Sequence, residues 1–255
     1  MRTNHVKRRL AAGGTVLGTM AFEFATEGLA RVTAAAGADF LIWDQEHSGF
    51  TSERLRCALL AARAVPELVP LVRVPAREPA HAIAVALDLG ALGVMVPMVH
   101  SAAQADAIVT AAAYPPSGER GFGVLFDDEH GGDVVAYMAE ANHEILVIAQ
   151  IESVAGLNAA GEIAAVDGID VLWVGHFDLS VSLGIPADFE HPRFRDALAR
   201  VVSASDASGK AAAMLASSVA HGERLLDMGF RCLGYSHDLE LYRDALRAGV
   251  AALRR

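Results

Sequence analysis

The chain has 255 residues, 53% of them apolar, and a formal charge of −10 at pH 7; this is enough for one large core and a common size for an α/β barrel. The apolar content is mostly alanine in short segments broken by charge, Gly or Pro, and no uninterrupted apolar span of about 18 residues occurs, which argues against a membrane helix. With no basic stripe interleaved with aromatics, such an acidic chain is not expected to bind nucleic acid.

Residues 1–10 are basic but run into Ala11-Ala12-Gly13-Gly14 without a sustained apolar region, so they do not resemble a signal peptide, and the expected location is the cytoplasm. Residues 15–20 predict a first strand, followed by a helix over 27–36 that stops at Gly37. The second strand, 39–44, ends in the polar cluster Asp44-Gln45-Glu46-His47 and leads to a helix over 52–64 with Ser52 as its cap. Cys57 in that helix and Cys232 are isolated and read as core thiols. The third strand, 68–75, carries a single charge, Arg73. A helix over 79–89, a fourth strand over 91–97 and a helix over 102–113 follow. Residues 114–144 predict a long irregular insertion, with Arg120-Gly121, the acidic Asp127-Asp128-Glu129, Gly131-Gly132 and at most one short helix near 133–141; such insertions are usually functional or disordered.

Two apolar runs then end abruptly in acids: 146–151 before Glu152, and 171–174 before Gly175-His176-Phe177-Asp178. Both are too short for helices and rich in β-branched residues, as in strands of a parallel sheet covered on both faces. A helix over 195–208, a strand over 211–215, a helix over 219–228, a strand over 230–235 and a last helix over 239–253 complete the chain. Alternation of this kind predicts one (β/α)8 TIM barrel spanning 1–255, with a doubly wound open sheet as the alternative.

In such a barrel the carboxyl ends of the strands face the catalytic mouth. That rule brings Asp44, His47, Arg73, Gln150, Glu152, His176 and Asp178 to one end. Neighbouring strands lie roughly 5 Å apart, so Glu152 and Asp178 can converge on one ion. Each residue has a plainer reading: a first-turn acid for Glu152 or Asp178, a structural ion pair for Arg73, a loop histidine for His47. Asp44, three residues before His47, is a candidate partner that fixes the imidazole tautomer.

With these residues assembled, the chain resembles the HpcH/HpaI family of divalent-metal-dependent pyruvate aldolases over nearly its whole length. The likeness rests on Asp44-Gln45-Glu46-His47, Leu71-Val72-Arg73-Val74-Pro75, Gly93-Val94-Met95-Val96-Pro97, Arg120-Gly121, Gln150-Ile151-Glu152-Ser153 and Gly175-His176-Phe177-Asp178-Leu179-Ser180. The resemblance implies a TIM barrel of the phosphoenolpyruvate/pyruvate type in which Glu152 and Asp178 hold a Mg²⁺, Mn²⁺ or Co²⁺ ion. Arg73 would contact the keto oxygen of pyruvate, and His47 with Asp44 would handle protons together with metal-bound water. Gln150 would line the site, while backbone amides of Gly175, His176, Phe177 and Asp178 would hold the substrate carboxylate. It further implies a homo-oligomer, a hexamer foremost, whose last helix packs on or swaps with a neighbour. Two stretches depart from the family pattern: His176-Phe177, where Pro and a small residue are more usual, and 126–132.

The expected activity is cleavage or formation of 4-hydroxy-2-oxo acids, giving pyruvate and an aldehyde, with oxaloacetate decarboxylation on the side. Two carboxylates make a hard-oxygen site suited to an octahedral ion and a chelating 2-oxo acid. The rival lysine Schiff base has few candidates, since Lys7 and Lys210 are the only lysines and neither falls at a strand's carboxyl end. A malyl- or citramalyl-CoA-type lyase and a metal and oxo-acid binding module without turnover are the alternatives.

Overall fold

The computed structural model describes residues 1–76, 79–123 and 133–254. Eight parallel strands close into a barrel in sequence order: β1 (Val16–Ala21), β2 (Phe40–Asp44), β3 (Val69–Arg73), β4 (Gly93–Val96), β5 (Leu146–Ile151), β6 (Val171–Val174), β7 (Ala211–Ala216) and β8 (Cys232–His237). Pairing of β1 with β8 closes the ring and decides against the open sheet. Because side chains alternate along a strand, each strand feeds two cores. Val16, Met20, Phe40, Ile42, Val69, Leu71, Met95, Ile148, Val171 and Trp173 fill the barrel interior. Their neighbours Leu41, Trp43, Val72, Val94, Val147, Leu172 and Val174 lie under the surrounding helices.

The inward columns continue past the apolar layers, and parity alone names their next members. Phe40 and Ile42 lead to Asp44, Val69 and Leu71 to Arg73, Leu146 and Ile148 to Gln150 and then Glu152, Val171 and Trp173 to Gly175, and Val16 and Met20 to Phe22. The polar mouth is therefore the top layer of the same columns that form the core.

Twelve helices occur among the described residues, more than the alternation predicts: α1 (His5–Ala11), α2 (Leu29–Ala35), α3 (Ser52–Ala62), α4 (Pro79–Asp88), α5 (Ala102–Ala112), α6 (Val134–Glu144), α7 (Val154–Asn158), α8 (Ala160–Ala164), α9 (His176–Ser182), α10 (Pro192–Ala207), α11 (Val219–Asp227) and α12 (Asp238–Leu253). Helix α1 closes the amino-terminal end of the barrel with Val6 and Leu10 against the interior core. The cap of α3 is Thr51, whose hydroxyl accepts from the Arg54 N–H, not Ser52. Helix α6 is longer than the short helix expected, and the Asp133 carboxylate caps it through the Val135 and Ala136 N–H groups. The adjoining insertion is packed where it is described: the Arg120 guanidinium pairs with Asp88 at 2.7 Å and stacks 4.5 Å from the Tyr114 ring centroid. Arg120 thus serves packing. The acidic run and glycine pair at 127–132, with the departure noted at 126–132, lie outside the described residues. Cys232 is a core thiol as expected, whereas Cys57 is exposed on α3.

Helix α12 is amphipathic yet leaves its own barrel; of its residues only Asp238 is buried. Among the described residues no helix is long and apolar enough to cross a membrane.

Candidate active site

Asp44 and Arg73 are register partners on β2 and β3, and the Arg73 Nε–H donates to Asp44 Oδ1 at 2.6 Å. The guanidinium also lies 3.2 Å from Glu46 Oε2 through Nη1, with only 8% of the side chain exposed. A cation taken that far from water needs such partners, because an unpaired buried charge costs several kcal/mol. The Asp44 carboxylate further accepts the N–H groups of Glu46 and His47, both at 3.0 Å, and the Ser48 hydroxyl donates to the Asp44 carbonyl. These bonds curl the 44–48 turn over the end of β2.

That geometry corrects one expectation. Asp44 meets His47 at its backbone N–H, and the imidazole instead points its Nε2 toward Glu46 Oε2 at 3.8 Å, with 61% of the side chain exposed. The Asp44 oxygens serve Arg73 and two backbone donors. Glu46, to which the sequence reading gave no role, stands between the arginine and the histidine. Burial raises its carboxyl above the ordinary value, opposed by Arg73 and His47. Its Oε2 accepts no hydrogen bond.

Across the mouth, Glu152 is buried just past β5. The Met98 N–H donates to its Oε1 at 2.6 Å, and the Gln150 amide to its Oε2 at 2.5 Å. Met98 adopts φ 56°, a left-handed conformation unusual for a residue with a side chain, and it is this residue that presents the N–H. Gly175 makes the remaining room, since a Cβ there would overlap Glu152 Oε2 and crowd Gln150 Nε2. Burial pushes the Glu152 carboxyl up to about 7; the Met98 N–H works against this, Glu46 and Asp178 add to it, and Arg73 opposes it. Asp178, exposed in the first turn of α9, is therefore close enough to act on both glutamates.

The site thus gathers Glu46, Glu152 and Asp178 with one guanidinium, leaves Glu46 Oε2 and Gln150 Oε1 without hydrogen bonds, and offers hard oxygen donors from its carboxylates and amide. Those features fit a divalent cation, which would favour the ionised form of a Glu152 carboxyl raised mainly by burial and further by Glu46 and Asp178. Among the described residues no three His, Cys, Asp or Glu side chains form a ready metal cage. A cation here would keep much of its coordination for water and substrate.

His176 and Phe177 open α9 in an aromatic group. The His176 ring centroid lies 4.6 Å from Phe177 and 5.3 Å from Phe189, and Phe177 packs edge-on to Phe189 at 5.2 Å. Burial, aided by nearby His221, lowers the His176 imidazole to about 4 against the pull of Asp178, so it is neutral at pH 7. Phe177 stays 58% exposed. The site also includes Phe22, whose ring lies 5.5 Å from Arg73 Cζ, and His237 at the end of β8, 5.0 Å from that ring. Only the inward parity of β1 could have pointed to Phe22.

Both lysines lie at the opposite end. Lys7 Nζ sits 3.1 Å from Asp170, just before β6, and Lys210 directly precedes β7.

Comparison with known proteins agrees with this geometry. The chain is 38% identical over 229 residues to a hydroxypyruvate/pyruvate aldolase of Chromohalobacter salexigens, covering 89% of each chain. It is 39% identical over 239 residues to a 4-hydroxy-2-oxovalerate aldolase of Novosphingobium aromaticivorans, covering 92% of this chain and 88% of the relative. The crystal structure of an HpcH/HpaI aldolase/citrate lyase family protein from Burkholderia cenocepacia J2315 superposes with a TM-score of 0.93 at 32% identity, over 99% of this chain and 100% of that one. The model of that family matches residues 21–245, a span holding every mouth residue described above, and the chain belongs to the HpcH/HpaI aldolase/citrate lyase family.

Proposed function

We propose that this protein is a metal-dependent aldolase, a carbon–carbon lyase that cleaves or forms 4-hydroxy-2-oxo acids, releasing or using pyruvate and an aldehyde. The observation that carries the reading is the buried carboxylate group of Glu46 and Glu152 with Asp178 nearby, around a fixed Arg73. Similarity to relatives named as pyruvate and 2-oxo acid aldolases supports the same class.

Glu152 and Asp178 would hold the ion, with Mg²⁺, Mn²⁺ or Co²⁺ as the candidates. When bound, a divalent ion supplies Lewis-acid stabilisation of charge developing on the 2-oxo acid. Arg73, hydrogen-bonded to Asp44 and ion-paired with Glu46, is assigned to the keto oxygen, where its positive charge favours the pyruvate enolate formed on cleavage. The substrate carboxylate is assigned to backbone N–H groups of residues 176–178, where Gly175 brings no capping side chain to compete; the Gly175 N–H, expected to share this role, instead donates to the Ile151 carbonyl at 3.1 Å. Gln150 orients Glu152 and lines the floor. His47 Nε2, exposed beside Glu46, is assigned the proton of the 4-hydroxyl as the carbon–carbon bond breaks. Oxaloacetate decarboxylation passes through the same enolate and is the expected side activity. A Schiff-base route lacks a lysine at the mouth, because Lys7 lies among groups at the barrel's other end and Lys210 precedes β7.

We also infer a homo-oligomer, a hexamer by the family resemblance. Its support is α12, whose Leu239, Tyr242, Leu246 and Leu253 are exposed, beside an apolar cavity of about 590 Å³ lined by Leu17, Phe24, Val32, Tyr235 and Leu241. The second copy's α12 is the proposed occupant. Catalysis is tested by incubating purified protein with each divalent ion and a panel of 4-hydroxy-2-oxo acids and detecting pyruvate. Release from at least one is expected; no release from any would overturn the aldolase reading in favour of the CoA-type lyase or the binding module.

A further inference from the structure

The guanidinium of Arg73 is constrained along its edge by Asp44 through Nε and by Glu46 through Nη1. The first is a hydrogen bond and the second an ion-pair contact without hydrogen-bond geometry, so together they hold the charge in place without fixing the tilt of the group. The contact that acts on the face is Phe22, whose ring centroid lies 5.5 Å from Cζ, within the range at which an aromatic face attracts a guanidinium.

Phe22 is itself held from a distant part of the chain. The Asp238 carboxylate, 7% exposed at the start of α12, accepts three successive backbone N–H groups: Phe22 at 3.0 Å, Glu23 at 2.9 Å and Phe24 at 2.7 Å. A charged acceptor shared by three N–H donors is a strong clamp, and an amide in its place would present an NH₂ to backbone donors. His237, the residue before Asp238, packs edge-on against Phe22 at 5.0 Å. One turn along α12, Tyr242 meets Phe24 edge-on at 5.9 Å. The β1–α2 loop is thus fastened twice to α12, a helix that otherwise leaves its own barrel.

We propose that Phe22 is a positioning residue for Arg73, and that Asp238 sets Phe22, so that the seating of α12 is transmitted to the arginine at the mouth. This rests on the reading of Arg73 as the group that meets the keto oxygen. No substrate contact is assigned to Phe22 or Asp238.

The test is a double-mutant cycle on the intact protein, reading pyruvate release from the best-cleaved 4-hydroxy-2-oxo acid and, separately, Mn²⁺ affinity by calorimetry. Phe22→Leu keeps an apolar side chain, somewhat smaller, and removes the aromatic face; the expected result is a fall in kcat of about tenfold, the worth of one partly desolvated cation–aromatic contact, with Mn²⁺ affinity unchanged. Phe22→Tyr restores the face and stays within about threefold of the parent. Asp238→Asn gives the same split as Phe22→Leu. In an Arg73→Ala background, Phe22→Leu costs nothing further, because residues that act through one group do not add. A full tenfold loss in that background, or a parallel loss of Mn²⁺ affinity, would overturn the proposal. If Arg73→Ala is inactive while Phe22→Leu is unimpaired, the positioning role alone falls. If Arg73→Ala cleaves like the parent, the reading of the site falls and takes the proposal with it.

Discussion

At the scale of single residues, parity along the strands made most of the mouth legible. Asp44, Arg73, Gln150 and Glu152 each follow an inward apolar column, so their types and positions could be read without coordinates. Which atoms meet was not legible. Asp44 lies three residues before His47, but its oxygens are taken by Arg73 and two backbone N–H groups, and the imidazole turns to Glu46. The proton role assigned to His47 has a direct check. His47→Ala should lower aldol cleavage by about 10² or more while largely sparing oxaloacetate decarboxylation, which removes no hydroxyl proton; equal losses in the two assays would refute the role. Glu152 gives a pH-dependent expectation for the metal-free protein. Its carboxyl is raised from 4.5 to about 7, so the folded state holds the proton more tightly than the unfolded chain. The contribution to stability is complete below about 4.5 and is lost as pH rises through about 7. Glu152→Gln carries no charge at any pH, so the variant's melting temperature should gain on the parent's between pH 5 and pH 8 without divalent ion. A difference that stays flat across that range would contradict the assignment.

At the scale of elements, the eight strands were legible because short β-branched runs bounded by turns have few alternatives. Helices α7 and α8, five residues each, and α9, with seven, were not, since one or two turns carry no readable period. The insertion read as irregular because its glycines and prolines dominate; α6 emerges there from an Asp133 cap and a packed Ala141. The turn between β6 and α9 is the element on which the site most depends. Gly175 is the only residue type that leaves Glu152 and Gln150 in place, so Gly175→Ala should weaken Mn²⁺ binding at least tenfold with a normal circular dichroism spectrum. Binding within about twofold of the parent would show that the turn yields and that the close approach is unimportant.

At the scale of the whole molecule, the family resemblance implied that the last helix packs on or swaps with a neighbour. The structure adds where the helix's apolar surface sits: α12 projects with only Asp238 buried, beside the cavity lined by Leu17, Val32 and Tyr235. What covers it was not readable from hydrophobicity alone, because an exposed stripe names no partner. Light scattering at micromolar and sub-micromolar concentration should report a multimer throughout, and Leu246→Arg should shift it toward smaller species. A fully active monomer of about 27 kDa, against a chain mass of 26.8 kDa, would contradict the assembly.

The central claim is that buried carboxylates, and no lysine, organise carbon–carbon cleavage at the mouth of this barrel. It is tested most directly by measuring pyruvate release from a cleaved 4-hydroxy-2-oxo acid after EDTA treatment, after Mg²⁺, Mn²⁺ or Co²⁺ is restored, and after borohydride treatment in the presence of pyruvate. Activity should vanish in chelator, return with at least one ion, and survive borohydride; full activity in chelator, or its loss on borohydride trapping, would contradict the claim.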